Sequence, residues 1–172
     1  MKQTLTLFCL ITVISFAQAQ NKARPAKELE ALLPKSSLSG FTREKPSTSS
    51  MNMSTDQATL SVSLASVNYQ AETKSISIQI ADYVTDKQSY SALCTPLNMN
   101  ISFENDEGKS ETKSYKSNRL LESISYAAEG TGGNCALTLC IKDRFYVSIN
   151  YDGSTDLQPL YRFLDEMNLN AL

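Results

Sequence analysis

The chain has 172 residues, of which 41% are apolar, a formal net charge of −2 and no histidine. The missing histidine excludes Ser-His-Asp and Cys-His catalysis, imidazole acid–base chemistry and nearly every catalytic zinc site. The mild acidic balance gives no electrostatic reason to expect nucleic acid or an anionic membrane as a partner.

Residues 1–19 have the pattern of a secretory signal peptide. Lys2 gives a positive start, an apolar run extends from Leu5 to Phe16, and Ala17-Gln18-Ala19 is a small-x-small cleavage site. Cys9 lies inside the apolar run rather than at its end, which argues against a lipoprotein. Cleavage after Ala19 leaves 172 − 19 = 153 residues. We therefore predict export to a periplasm or the extracellular space, with no transmembrane segment in the mature chain.

Residues 20–55 are predicted to form a short helix and a Ser-rich arm. Pro25 is compatible with a first helical turn, Leu29 and Leu33 fall on one helical face, and Pro34 ends the helix. The Ser/Thr-rich stretch 46–55 is typical of an exposed loop. The arm is too short to be a domain, so it belongs to one domain whose main part is 56–172.

The next two segments, "ATLSVSLASVNYQ" and "SISIQIADYV", alternate apolar and polar residues and predict strands. This period of two predicts a sheet with one buried and one solvated face, whose apolar side is covered by helices. The apolar positions are Leu60, Val62 and Leu64 in the first segment and Ile76, Ile78 and Ile80 in the second.

Residues 85–99 predict a short helix that ends before Pro96, and four or five strands follow it. The chain closes with an amphipathic helix, for which either a Thr155–Gln158 capping box or Pro159 in the first turn is suitable. The predicted fold class is α+β, with a single twisted antiparallel sheet of about six or seven strands and helices covering its apolar face. The apolar stripe of the last helix is Leu157, Leu160, Tyr161, Leu164, Met167 and Ala171.

The order of these segments resembles a loosely defined family of exported bacterial proteins of unknown function. The resemblance lies in "ELEALLPKSSLSGF", "SLASVNYQ", "SISIQIAD" and "LTLCIKDRFYVSINYDG…LQPLYRFLDEMNL". It covers nearly the whole mature chain and implies an exported envelope domain, but it supplies no catalytic residues and does not include the cysteines. A more distant similarity in layout is to PsbP/Mog1-like α+β sandwiches.

Three cysteines remain after cleavage, and an oxidising compartment favours a disulfide between two of them. Strand alternation puts Cys135 on the apolar face and Cys140 on the opposite face, so these two cannot bridge. Because the helix that carries Cys94 is expected to cover the apolar face, we predict a Cys94–Cys135 disulfide worth roughly 3–4 kcal/mol, with Cys140 as a free thiol. Cys94–Cys140 is the alternative pairing.

Two further groups of side chains are candidates for a binding site. The acidic segment "FENDEGKSE" lacks EF-hand spacing and is typical of a solvated hairpin turn. Tyr115, Tyr126 and Tyr146 lie on predicted strands and are candidates for a contact surface, although tyrosine is also an ordinary strand residue. No catalytic residue, metal ligand or cofactor is predicted.

The leading functional hypothesis is a non-enzymatic envelope or periplasmic domain that acts by contact with an envelope protein or a ligand. The alternative is a carrier that holds a small apolar ligand between sheet and helices, which requires an apolar cavity. The third hypothesis is a hydrolase using carboxylates or a Ser/Lys pair, which requires a polar cleft with two close carboxylates.

Overall fold

The computed structural model describes residues 22–54, 59–117, 119–127 and 132–172, so the predicted signal peptide lies outside the described residues. The described strands are β1 (Thr42–Arg43), β2 (Ser47–Ser54), β3 (Thr59–Gln70), β4 (Ser75–Asp82), β5 (Ser102–Asn105), β6 (Gly108–Tyr115), β7 (Leu120–Ala127), β8 (Gly133–Ile141) and β9 (Phe145–Asp152). The helices are α1 (Ala26–Glu30), α2 (Lys87–Cys94) and α3 (Gln158–Glu166), with short 3₁₀ helices at Thr95–Asn98 and Leu169–Ala171.

All strands join one open antiparallel sheet in the order β1-β3-β4-β9-β8-β7-β6-β5, and β2 pairs with β3 on the same edge as β1. The α+β class and the single sheet are confirmed, but the sheet has nine strands rather than six or seven. The two additional strands, β1 and β2, come from the stretch predicted as an arm. β2 lacks apolar alternation because nearly all its side chains are exposed, so its sequence resembles a loop.

One side of the sheet, the core face, is covered by α1 and α3. The prediction that Ile76, Ile78 and Ile80 are buried is confirmed, since none of them has exposed surface. Cross-strand partners share a face, and β9 contributes Val147 and Ile149 beside these isoleucines. The helices and the residues just after them complete the core with Leu29, Leu33, Leu160, Phe163 and Met167.

The predicted face of β3 is wrong. Ala65, Val67 and Tyr69 pair with the β4 isoleucines and lie on the core face, whereas Leu60, Val62 and Leu64 lie half-buried on the other side. The polar side chains at the start of β3 are buried under the N-terminal segment. There the Ser63 hydroxyl donates to the main-chain oxygen of Arg24 at 2.6 Å, which compensates its desolvation.

The C-terminal helix begins at Gln158 with Pro159 in its first turn, and the described contacts include no Thr155–Gln158 capping box. Its stripe includes Phe163, whose ring centroid lies 4.5 Å from that of Tyr69. Among the described residues, no helix is both long and apolar enough to span a membrane.

Candidate functional site

The second face of the sheet, which we call the open face, is covered by the described residues only at one end. Helix α2 and the 3₁₀ helix that follows it lie there and pack Tyr90, Cys94 and Leu97 against Leu121 and Cys140. A Cys94–Cys140 disulfide with a Cα–Cα distance of 6.1 Å fastens the helix to β8. The predicted Cys94–Cys135 pairing is therefore wrong. It rests on the expectation that α2 covers the core face, whereas α2 packs on the open face.

Cys135, rather than Cys140, is the free thiol among the described residues. Its side chain is buried on the core face, and its Sγ donates to the main-chain oxygen of Asp156 at 3.4 Å. Burial, with a smaller contribution from the nearby Asp156 carboxylate, raises the pKa of the thiol to about 11. At neutral pH the sulfur is therefore protonated and unreactive, as expected of a cysteine that serves as a small apolar residue.

The open face carries almost no charge. Eight strand residues are charged, and the pairing register places only Asp152 on the open face. The other seven are on the core face or its margin: Arg43, Asp82, Glu104, Lys109, Glu111, Lys113 and Glu122. The centre of the open face instead presents hydroxyl, amide and methyl groups from Ser66, Asn68, Ser77, Gln79, Ser123, Ser125, Ala136, Thr138, Ser148 and Asn150.

Apolar side chains form the two margins of this face. On one edge, Met51 and Met53 are 46% and 54% exposed and pair with Val62 and Leu60. On the opposite edge, Phe103 of β5 is 58% exposed. An uncharged centre flanked by exposed apolar residues differs from an ordinary solvated sheet face, on which lysine and glutamate are common.

A depression of about 280 Å³ lies near the middle of the open face. Its described lining includes Ser123, Ser125, Asn134, Asn150 and Asp152, all of which the register places on that face. Asn150 is exposed and donates from Nδ2 to the Ser77 hydroxyl at 3.5 Å. No lysine or arginine is among the described residues that line the depression. A partner can therefore place hydrogen-bonding groups in it without burying a cation of this chain.

The structure does not bring the three candidate tyrosines onto one surface. Tyr115 and Tyr126 lie on the core-face side, while Tyr146 lies on the open-face side against the α2 cluster. Tyr126 is 43% exposed at the sheet margin, whereas Tyr115 and Tyr146 are half-buried. A single flat partner therefore cannot contact all three.

Tyr115 instead belongs to a polar cluster that the sequence did not reveal. Its hydroxyl donates to Glu122 Oε2 at 2.9 Å, and the Tyr161 hydroxyl donates to Glu122 Oε1. Burial, reinforced by the hydrogen bond and the negative charge of Glu122, raises the pKa of Tyr161. The Glu122 carboxylate, shared by two phenol groups, thus links α3 to β6 and β7. This cluster has a structural role and contains one carboxylate, not the pair that a carboxylate-based hydrolase requires.

The carrier hypothesis requires an apolar cavity between the core face and the helices. In the part of the chain that the structure describes, this space is filled by side chains such as Ile78, Leu137, Leu160 and Phe163, each at most 1% exposed. Depressions of about 270 to 420 Å³ lie elsewhere, on the open face, beside α2 and at the ends of the sheet, and each is partly lined by polar or charged residues. The described residues contain no group of three Cys, Asp or Glu side chains placed to hold a metal ion.

The signal for the open face was present in the sequence. On the open face, the polar positions of β3, β4, β8 and β9 hold Ser, Asn, Gln and Thr, and only Asp152 among them is charged.

The fold defines an α+β protein with one open antiparallel sheet and one face that the described residues leave largely uncovered. Comparison of the chain with known protein families, curated proteins and solved structures finds no match. The resemblance to exported bacterial proteins therefore rests on the segments quoted above.

Proposed function

We propose that the chain is an exported, non-enzymatic domain of a bacterial periplasm or envelope that acts by protein–protein contact through its open face. The observation that supports this proposal is the charge distribution, with seven of eight charged strand residues on the other side of the sheet. The predicted leader at residues 1–19 supports the exported location.

The physical argument is the cost of burying charge in an interface. A Lys or Glu that is desolvated without a partner destabilises a complex, and the centres of protein interfaces are accordingly depleted of charged residues. A solvated sheet face has no such restriction, because water stabilises its charges. Asp152 is the one charged residue that the described strands place on the open face, so we infer a partner surface that is itself largely uncharged.

The available area also suits an interface. Six neighbouring strands of eight or more residues, at about 4.8 Å spacing and with roughly 20 Å of strand length outside α2, give an area on the order of 600 Å². A specific protein–protein interface buries about 800 Å² on each partner, and about 600 Å² lies at the lower end of the range. The open face is therefore large enough for a small specific contact, and its disulfide-fastened α2 fixes one boundary of that contact.

A capture experiment with matched variants tests this proposal. The immobilised mature protein is incubated with envelope extract, and mass spectrometry identifies retained proteins and lipids. Asn150→Arg adds a charge at an exposed position of the open face, whereas Asn170→Arg makes the same change at an exposed position near the C-terminal 3₁₀ helix. We expect a specific protein whose retention falls at least about tenfold with Asn150→Arg, since a buried unpaired charge costs more than 1.4 kcal/mol.

Retention that is equal for Asn150→Arg and Asn170→Arg, or a co-purifying lipid without any specific protein, would contradict contact through the open face. The exported location has its own test. The N-terminus of the protein recovered from the cell envelope should be Gln20, and a product that retains Met1 would exclude cleavage of the leader.

A further inference from the structure

A depression of about 420 Å³ at one end of the sheet, which we call the basic basin, collects positive charge. It lies where β4 and β8 end and β9 begins, and it is distinct from the open-face depression. Its described lining is Arg24, Val84, Lys87, Lys142, Arg144, Phe145 and Leu172. Four of these side chains are cationic, and none carries a carboxylate, although the chain as a whole has a net charge of −2.

Within the described residues, Arg144 is the one cation of the four that forms a salt bridge with an acidic side chain. Arg144 donates from Nε and Nη2 to the two carboxylate oxygens of Asp82, each at 2.7 Å. Lys87 donates to the main-chain oxygen of Asp143 at 2.6 Å, and Arg24 donates from Nη2 to the main-chain oxygen of Leu172 at 3.3 Å. Both acceptors are main-chain oxygens. Neither lysine nor Arg24 forms a salt bridge within the described residues.

Two guanidinium groups of the basin are held in place by one aromatic ring. The Cζ atoms of Arg144 and Arg24 lie 5.0 and 5.5 Å from the centroid of the Phe145 ring. The main chain of Arg24 is fixed as well, because its N–H donates to Asp82 Oδ2 at 2.7 Å. Arg24 therefore offers its remaining N–H donors from a preorganised position, which reduces the entropy lost when a ligand binds.

The β8–β9 turn places a lysine where another residue type is favoured. Lys142 and Asp143 have φ angles of 52° and 50°, in the left-handed region that favours Asn and Gly in hairpin turns. The Arg119–Asp143 salt bridge, at 2.7 Å, holds the turn from outside the basin. Lys142 forms no ion pair or hydrogen bond through its ammonium group among the described residues. Its charge is thus free for a ligand.

We propose that the basic basin binds an oxyanion of the phosphate class, held by Arg24, Lys87 and Lys142. Guanidinium and ammonium groups are both phosphate donors, and here they come from three separate segments that line one depression. Lys87 and Lys142 form no salt bridge within the described residues, so an oxyanion in the basin would compensate their charges. The site is independent of the open-face contact, so either can fail without the other.

Calorimetric titration with inorganic phosphate, in chloride buffer at constant ionic strength, tests the site. We expect the mature protein to bind phosphate with a Kd no weaker than about 1 mM, and Lys142→Gln to weaken binding by at least about tenfold. Lys142 is exposed and makes no described side-chain bond, so this variant should fold. Lys45→Gln removes one exposed charge elsewhere and serves as the matched control, with unchanged binding expected.

The phosphate group can belong to a soluble ligand or to a lipid headgroup, and vesicles separate these sources. Binding to phosphatidylglycerol vesicles but not to phosphatidylcholine vesicles, with loss in Lys142→Gln, supports the headgroup. Lys142-dependent binding of free phosphate alone supports a soluble phosphorylated ligand. Absence of both forms of binding, or equal weakening by Lys45→Gln and Lys142→Gln, would overturn the proposal.

Discussion

At the scale of single residues, the carboxylate of Asp82 connects the N-terminal segment to the sheet. The residue has no exposed surface, and it accepts from Arg144 Nε, Arg144 Nη2 and the main-chain N–H of Arg24, each at 2.7 Å. A buried charge of this kind is stable only while its partners are in place. The interaction positions both arginines of the basic basin.

Asp82→Asn should lower the free energy of unfolding by about 2–3 kcal/mol. The amide removes the negative charge that compensates Arg144. The loss of stability is smaller than for a fully buried ion pair because Arg144 is partly exposed. Urea unfolding measures the difference. Asp165→Asn, at an exposed position of α3, is the control and should stay within about 0.5 kcal/mol of wild type. Equal midpoints for the two variants would show that the Asp82 contacts contribute no net stability.

The buried thiol of Cys135 should make stability depend on pH in the alkaline range. Its pKa is about 11 in the folded state against an ordinary value of 9.0, so the folded protein holds this proton more tightly than the unfolded chain. The resulting stabilisation is complete below pH 9 and is lost as the pH rises to about 11; its size is about 3 kcal/mol.

The measurement compares the urea unfolding of wild type and Cys135→Ala between neutral pH and pH 10.5. Tyrosine ionisation affects both proteins alike, so the difference in pH slope isolates the thiol. We expect the wild type to lose more stability than the variant over this range. Parallel slopes would mean that the thiol is not buried.

At the scale of secondary structure elements, the disulfide decides where α2 lies. A cross-link between residues 46 positions apart is worth roughly 4 kcal/mol by the loop-entropy estimate. We expect Cys140→Ala to lose about this amount and to become insensitive to reductant. Cys135→Ala should keep the reductant sensitivity of the wild type. The reverse pattern in urea unfolding with and without reductant would restore the Cys94–Cys135 pairing.

The elements also show how far residue patterns determine this fold. The β8–β9 hairpin follows from alternation alone, and Leu137, Leu139 and Ile141 face the core beside Ile149, Val147 and Phe145 as their positions predict. Alternation states which residues share a face, but not which face a distant helix will cover. For that reason the opposite orientations of Cys135 and Cys140 were predictable, and the partner of Cys94 was not.

The two errors in the N-terminal half have a related origin. β2 is an edge strand whose main chain pairs with β3 while its side chains remain exposed, so no burial pattern marks it. β3 has apolar residues on both faces, and its buried face is selected by α1 and the segment around Arg24 rather than by hydrophobicity. The basic basin was likewise invisible, because its four cations come from segments far apart in sequence.

At the scale of the whole molecule, charge is separated from the open face in two ways. Seven of the eight charged residues of the described strands lie on the core-face side, and four cationic side chains line one depression at the end of the sheet. The open face is left with hydroxyl, amide and apolar groups and the Asp152 carboxylate, bounded by α2. We propose that the domain makes one broad contact through this face, with an anion site as a separate element.

Site-specific photo-cross-linking in the producing cells tests the open-face contact most directly. A photoreactive residue replaces Asn150 at the centre of the open face, or Asn170 as the exposed control outside it. The account predicts a covalent adduct of one defined mass from position 150 and none from position 170. Adducts of equal yield at both positions, or an adduct at position 170 alone, would contradict contact through the open face.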